Sequence, residues 1–92
     1  MDYEWDPEKD SLNRRKHGLG LADGIHALED PFCEIWIDDR FDYEEERLVT
    51  LGMSPAGVLF VVTTEIRTEL TRIISVRRAE LHEWQRYDQN LA

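Results

Sequence analysis

RLVTLGMSPAGVLFVVTTEIRTELTRIISV, residues 47–76, is the stretch whose reading decides the fold. Three runs in it have strand character, residues 47–53, 58–64 and 70–76, each dominated by β-branched and apolar side chains. Between the first two, Ser54-Pro55-Ala56-Gly57 supplies hairpin chemistry: proline presets one turn dihedral, and glycine accepts a positive φ. Alternation assigns Val49, Leu51, Phe60, Val62, Ile74 and Val76 to a core face. Thr50, Thr63, Thr71, Ser75 and Arg77 then fall on the opposite face, which is polar for a sheet and the natural place for a site. A one-residue bulge would exchange these assignments.

Working upstream, Cys33-Glu34-Ile35-Trp36-Ile37 reads as a further strand. Before it, Asp30-Pro31 ends a helix over residues 21–28 whose inward stripe is Leu21, Ala22, Ile25 and Leu28; Gly24 inside that helix costs about 1 kcal/mol against alanine. Asp6-Pro7-Glu8 is a helix start, with Asp6 as cap, Pro7 in the first turn and Glu8 at the positive end of the dipole. This helix runs to Lys16-His17, with Gly18 as its stop and Leu12 alone marking its apolar face. Tyr3-Glu4-Trp5 suits a short strand. Downstream, a helix over residues 78–89 presents Leu81, Trp84, Tyr87 and Leu91. The order is β-α-α-β-β-β-β-α, an α+β fold: an antiparallel sheet with helices packed on one face.

Ninety-two residues make one domain, residues 1–92, with one modest core. A chain so short gains from a binding partner. Its net charge of −9 is unevenly divided. Residues 1–46 hold fifteen acids and five bases (−10), and residues 47–92 hold five acids and six arginines (+1). An acidic protein repels nucleic acid in bulk, so any RNA contact depends on the arginines between Arg67 and Arg78. The acidic half suits either a basic partner or plain solubility. Cys33 has no cysteine to pair with, which fits a reducing compartment. No apolar run approaches the roughly 20 residues of a membrane span, and residues 1–5 lack signal-peptide character. The reading is a cytoplasmic protein without a membrane partner.

At this point an ordered series of residues resembles the BrnT toxin family. Glu4-Trp5-Asp6-Pro7 with Lys9, Asn13 and Lys16-His17-Gly18 looks like that family's opening. Asp30-Pro31, Glu45-Glu46-Arg47, Gly52, Gly57, Arg72-Ile73-Ile74-Ser75, Arg77-Arg78-Ala79, Glu83 and Tyr87 continue the match in order. The resemblance covers nearly the whole chain and implies a fold similar to RelE-type ribonucleases. It implies metal-independent endoribonuclease activity that inhibits translation, with no cofactor. It also implies a cognate DNA-binding antitoxin of the BrnA kind, forming a hetero-oligomer. The chain departs from the family at Phe41-Asp42-Tyr43, where a His-Ser pair is common, so proton transfer there would pass to Tyr43 or Glu46.

Metal-free RNA cleavage uses the substrate's 2′-hydroxyl as nucleophile. The protein must take that proton, stabilise charge on the crowded phosphate and protonate the leaving 5′-oxygen. Guanidinium groups suit the second task, and Arg77 with Arg78 are the expected pair; surface ion pairing is their bland alternative. Glu46, Tyr43 and His17 are the proton-transfer candidates. His17 ends a helix, where the dipole favours an imidazolium able to act as an acid. Arg47, Arg67, Lys16 and Ser75 are expected substrate contacts. Three scattered histidines and one cysteine have no metal-ligand spacing. The alternative function is a catalytically weak or inactive antitoxin-binding module acting in operon co-repression.

Overall fold

The hairpin forms where its turn residues require. Strand β3 (Leu48–Ser54) joins strand β4 (Gly57–Arg67) through Pro55 and Ala56. Gly57 takes φ +98°, and the Ser54 hydroxyl stitches the turn, accepting from the Ala56 N–H at 3.0 Å and donating to the Gly57 carbonyl at 2.9 Å. Strand β5 (Leu70–Arg78) returns antiparallel to β4. In this computed structural model, which describes residues 1–40, 42 and 44–91, two outer strands complete the sheet. These are β2 (Glu34–Ile37) beside β3 and β1 (Asp2–Glu4) beside β5, giving the order β1-β5-β4-β3-β2.

Two parts of the expected architecture are corrected. The sheet is mixed, because β1 runs parallel to β5, with Asp2 opposite Leu70 and Glu4 opposite Arg72. A three-residue edge strand carries no direction in its pattern. The helices also do not share one face. A 3-10 turn (Leu21–Asp23) and helix α2 (Gly24–Leu28) cover Leu59, Val61, Ile73 and Val76. Helix α3 (Leu81–Asn90) brings Tyr87 against Val49, Leu51, Phe60 and Val62 on the other face. The reason lies in β4, where Val58, Leu59, Phe60, Val61 and Val62 are all buried. A continuous apolar run requires cover on both sides.

Helix α1 (Pro7–His17) has the expected ends: the Asp6 side chain accepts from the Glu8 N–H at 2.9 Å, and Gly18 turns left-handed at φ +70°. Its inward residue is not Leu12, which is 56% exposed, but Asn13. β1 pairs only with Leu70–Arg72, so the outer edge of β5 beyond lacks a neighbouring strand. Asn13 takes that place. Its amide donates to the Val76 and Leu19 carbonyls, each at 2.8 Å, and accepts from the Val76 N–H at 3.1 Å. The second expected helix is divided into the 3-10 turn and α2, with Gly24 lying against Val61 and Val76. α3 begins three residues later than expected because Arg78 still belongs to β5. Of its expected inward stripe only Tyr87 is buried, while Leu81, Trp84 and Leu91 remain exposed.

Candidate functional site

A bulge in β5 builds the site. Val62 is opposite Ser75, yet Thr63 is opposite Ile73, so Ile74 is an inserted residue. The insertion shifts the alternation by one, as β-bulges do. Ser75 and Arg77 therefore share the face of Val62 and Phe60, and Val76 joins Thr50 and Thr63 on the other. This reverses the expected faces for the C-terminal half of the strand.

Alternation puts the two neighbouring arginines on opposite faces, and the bulge decides which face each takes. Arg77 lies over the Phe60 ring at 3.9 Å and forms a bidentate pair with Glu83, at 2.7 and 2.8 Å. Glu83 is buried at the start of α3, where its Oε1 also accepts from the Glu80 N–H at 2.7 Å. Burial would raise the Glu83 carboxyl, but the Arg77 and Glu80 hydrogen bonds outweigh it and hold the pKa below the usual carboxylate range. Arg77 is thus a structural latch between sheet and helix, which corrects its expected role as an open phosphate clamp. Arg78 points to the other side. It is exposed, and its Nη1 donates to the His17 carbonyl at 3.1 Å.

Beside this contact, α1 and β5 enclose a cleft of about 180 Å³ lined by Lys9, Leu12, Asn13, Lys16, His17, Ile74 and Ser75. No acid lines it among the described residues. The α1 members fall at positions 9, 12, 13, 16 and 17, the spacing of one helical face. That spacing was legible in the sequence, yet Lys9, named only within the family series, was not among the expected site residues, because the single apolar residue in the set hid the stripe. His17 is half-buried, and its pKa is lowered first by burial and then by the positive charges of Lys16 and Arg77. The helix-dipole expectation of an imidazolium is reversed: the neutral ring, a proton acceptor, is the favoured form.

The remaining expected site residues lie elsewhere. Glu46 precedes β3, with its side chain exposed and its carbonyl accepting from Thr64 Oγ1 at 2.9 Å. Arg47 is half-buried beside it, its carbonyl accepting from the Asp38 N–H at 2.8 Å. Both belong to the β3 side of the sheet, two strand spacings from β5, or roughly 10 Å. Arg67 pairs in register with Leu70, at the opposite end of the β4–β5 hairpin from Arg77. The nearest cleft residue of β5 is Ile74, four residues beyond Leu70 or roughly 13 Å, and Arg67 does not line the cleft. Tyr43 lies outside the described residues. Among the described residues no three His, Cys, Asp or Glu side chains converge as a metal site, and no helix is long and apolar enough to cross a membrane.

These elements agree with what the chain is similar to. The sequence model of the family described as "Ribonuclease toxin, BrnT, of type II toxin-antitoxin system" matches residues 5–83, which include every residue lining the cleft. No curated protein matches the chain. Among solved structures, the ribonuclease toxin BrnT of Brucella abortus, a 1.1 Å crystal structure, is 25% identical and superposes with a TM-score of 0.66. The match covers 87% of this chain and 97% of that one. The chain belongs to the BrnT family of ribonuclease toxins of type II toxin–antitoxin systems.

Proposed function

We propose that the α1–β5 cleft cuts single-stranded RNA without a metal ion, and that this cleavage inhibits translation in the cytoplasm until a cognate antitoxin intervenes. The observation that carries the reading is a half-buried imidazole favoured in its neutral form, set beside Lys9 and Lys16 in a cleft that no acid lines among the described residues, with the exposed Arg78 donating to the His17 carbonyl at its margin. His17 accepts the proton of the 2′-hydroxyl as its oxygen attacks phosphorus. The bond from phosphorus to the 5′-oxygen breaks, and that oxygen takes a proton from water in the open cleft. The products are a 2′,3′-cyclic phosphate and a free 5′-hydroxyl. Arg78 and Lys16 meet the charge that develops on the phosphate, the task that positioned cations perform in phosphoryl chemistry. Ser75 supplies a hydroxyl to orient the phosphate. Glu46, Arg47 and Arg67 have no part in this step.

The test is purified protein with end-labelled RNA in excess chelator, followed by analysis of the termini. Cyclic phosphate ends are expected, with the rate falling about 100- to 10,000-fold in His17→Ala, the range of a lost general base. Arg78→Ala is expected to cost about 100-fold or more. Cleavage that stops with chelator, or that survives both substitutions, overturns the reading. One observation favours a second reading: the grip of Glu83 on Arg77 withdraws a guanidinium from RNA. In that case the chain acts through its antitoxin in operon co-repression. Intact RNA together with retained antitoxin binding would select that reading.

A further inference from the structure

The sheet face opposite Ser75 and Arg77 carries a feature that the cleft does not use. Under the β1 end of the sheet lies a groove of about 190 Å³, floored by Tyr3, Leu28, Ile35, Leu48 and neighbouring threonines. Its lining runs across the sheet face as far as Ile35 on β2, the last strand of the sheet. Ile35 and Ile37 stand there 56% and 57% exposed. Two bulky β-branched side chains left in water on an edge strand are a liability unless something covers them.

The register says which backbone groups are open. Asp38 N–H donates to the Arg47 carbonyl, and Ile37 is opposite Leu48. In an antiparallel pair the bonded positions alternate, so Asp38, Trp36 and Glu34 bond toward β3. The N–H and C=O groups of Ile35 and Ile37 therefore point outward along the free edge. The same two residues offer both unpaired backbone and uncovered apolar surface.

The charge around the groove selects the occupant. Among the described residues its one charged lining side chain is Glu65. Tyr3, in the lining, donates to Glu29 at 3.3 Å, and the Met1 ammonium, also in the lining, sits 3.5 Å from Glu69. A second copy of a chain with net charge −9 would bring like charge to this rim. We infer that the edge of β2 and the adjoining groove bind an extended segment of the antitoxin, which adds to the sheet as a sixth strand. Its alternate apolar side chains pack on Ile35 and Ile37 at the end of the groove, and the acids Glu65, Glu29 and Glu69 farther across the sheet face favour a basic segment through their longer-range field. Main-chain bonds to Ile35 and Ile37 give affinity, and the groove with its acidic rim gives specificity. The inference rests on the toxin–antitoxin reading, yet its readouts do not require RNA cleavage.

The test uses the purified toxin with the antitoxin polypeptide encoded beside it. By amide hydrogen exchange, Ile35 and Ile37 are expected to slow at least 100-fold in the complex, while Trp36 changes little. By calorimetry, Ile35→Lys combined with Ile37→Lys is expected to weaken binding at least 100-fold, with RNA cleavage unchanged. Glu65→Lys is expected to weaken it about fivefold or more, chiefly in the association rate at low salt. Unaltered binding in the double variant, or free exchange of both amides in the complex, overturns the proposal. So does loss of binding in Trp84→Lys with the β2 variant unaffected, which would move the docking surface to α3. A dimer of the toxin alone that Ile35→Lys dissociates would make a second copy the occupant and would equally overturn it. Absent RNA cleavage with these binding results intact would count against the ribonuclease reading only.

Discussion

A single amide does the work of a missing strand. Asn13 meets the N–H and C=O of Val76 where β1 no longer reaches, and its burial makes those bonds hard to replace with water. Asn13→Ala leaves up to three buried backbone groups without partners, at about 1–3 kcal/mol each before relaxation. A loss of about 3 kcal/mol is expected in urea unfolding. His17 gives the second prediction at this scale. Its lowered pKa means that the accepting, neutral form persists below the ordinary histidine range. Cleavage should therefore fall only as pH drops through that lowered value. Removing the Lys16 charge in Lys16→Met relieves one cause, so the acid limb of the pH–rate profile should move upward. A limb that stays in place would separate the profile from His17.

At the scale of elements, α3 and α2 are held by different means. α3 is attached through Arg77–Glu83, Arg86–Glu34 and the Tyr87 hydroxyl on Asp30. The folded Glu83 pKa lies below its ordinary value, so the unfolded chain binds more protons in the interval between the two. Its stabilisation is full above the unfolded value and is lost as pH falls through the folded one. Glu83→Gln should cost about 2 kcal/mol at neutral pH and flatten the acid limb of stability measured by circular dichroism. Tyr87 behaves oppositely. Burial and then Asp30 push its pKa up to about 12, so its contribution declines as pH rises toward that value. Tyr3 is also raised, by burial and Glu29, so phenolate absorbance should show a latest titration step that Tyr87→Phe removes. α2 is held by contact alone: a Cβ on Gly52 would stand 2.1 Å from the Ala27 carbonyl oxygen. Gly52→Ala must push backbone from backbone, and a loss of about 3 kcal/mol or more is expected.

Across the whole molecule, charge is partitioned by location. The chain carries −9, yet the cleft gathers Lys9 and Lys16 on one side, with Arg78 at the His17 carbonyl nearby, and the acidic rim lies on the opposite face of the sheet. If the cleft binds RNA as proposed, bulk repulsion limits the contact to the few phosphates that the cleft can reach. Two or three contacts to a single strand imply a slope of about −1.4 to −2.1 in log affinity against log salt. A much steeper slope would mean a broader basic footprint than this cleft provides.

Several of these features could be read from residues in order. Asp6-Pro7 and Gly18 fixed the ends of α1, and Ser54-Pro55-Ala56-Gly57 fixed the hairpin, because caps and turns are local chemistry. The unbroken run Val58–Val62 already implied two covered faces, although the expectation of one helical layer did not use it. The cleft was half legible: Lys16, His17 and Ser75 were named in advance, and the spacing of Lys9 was available. Sequence alone thus determined the elements, their order and the family. Only the tertiary structure decided that β1 is parallel, that Ile74 is a bulge, that Glu83 takes Arg77 and that Asn13 replaces a strand. Each of these depends on which distant groups meet, and hydrogen-bond partners many residues apart leave no periodic mark in either chain segment.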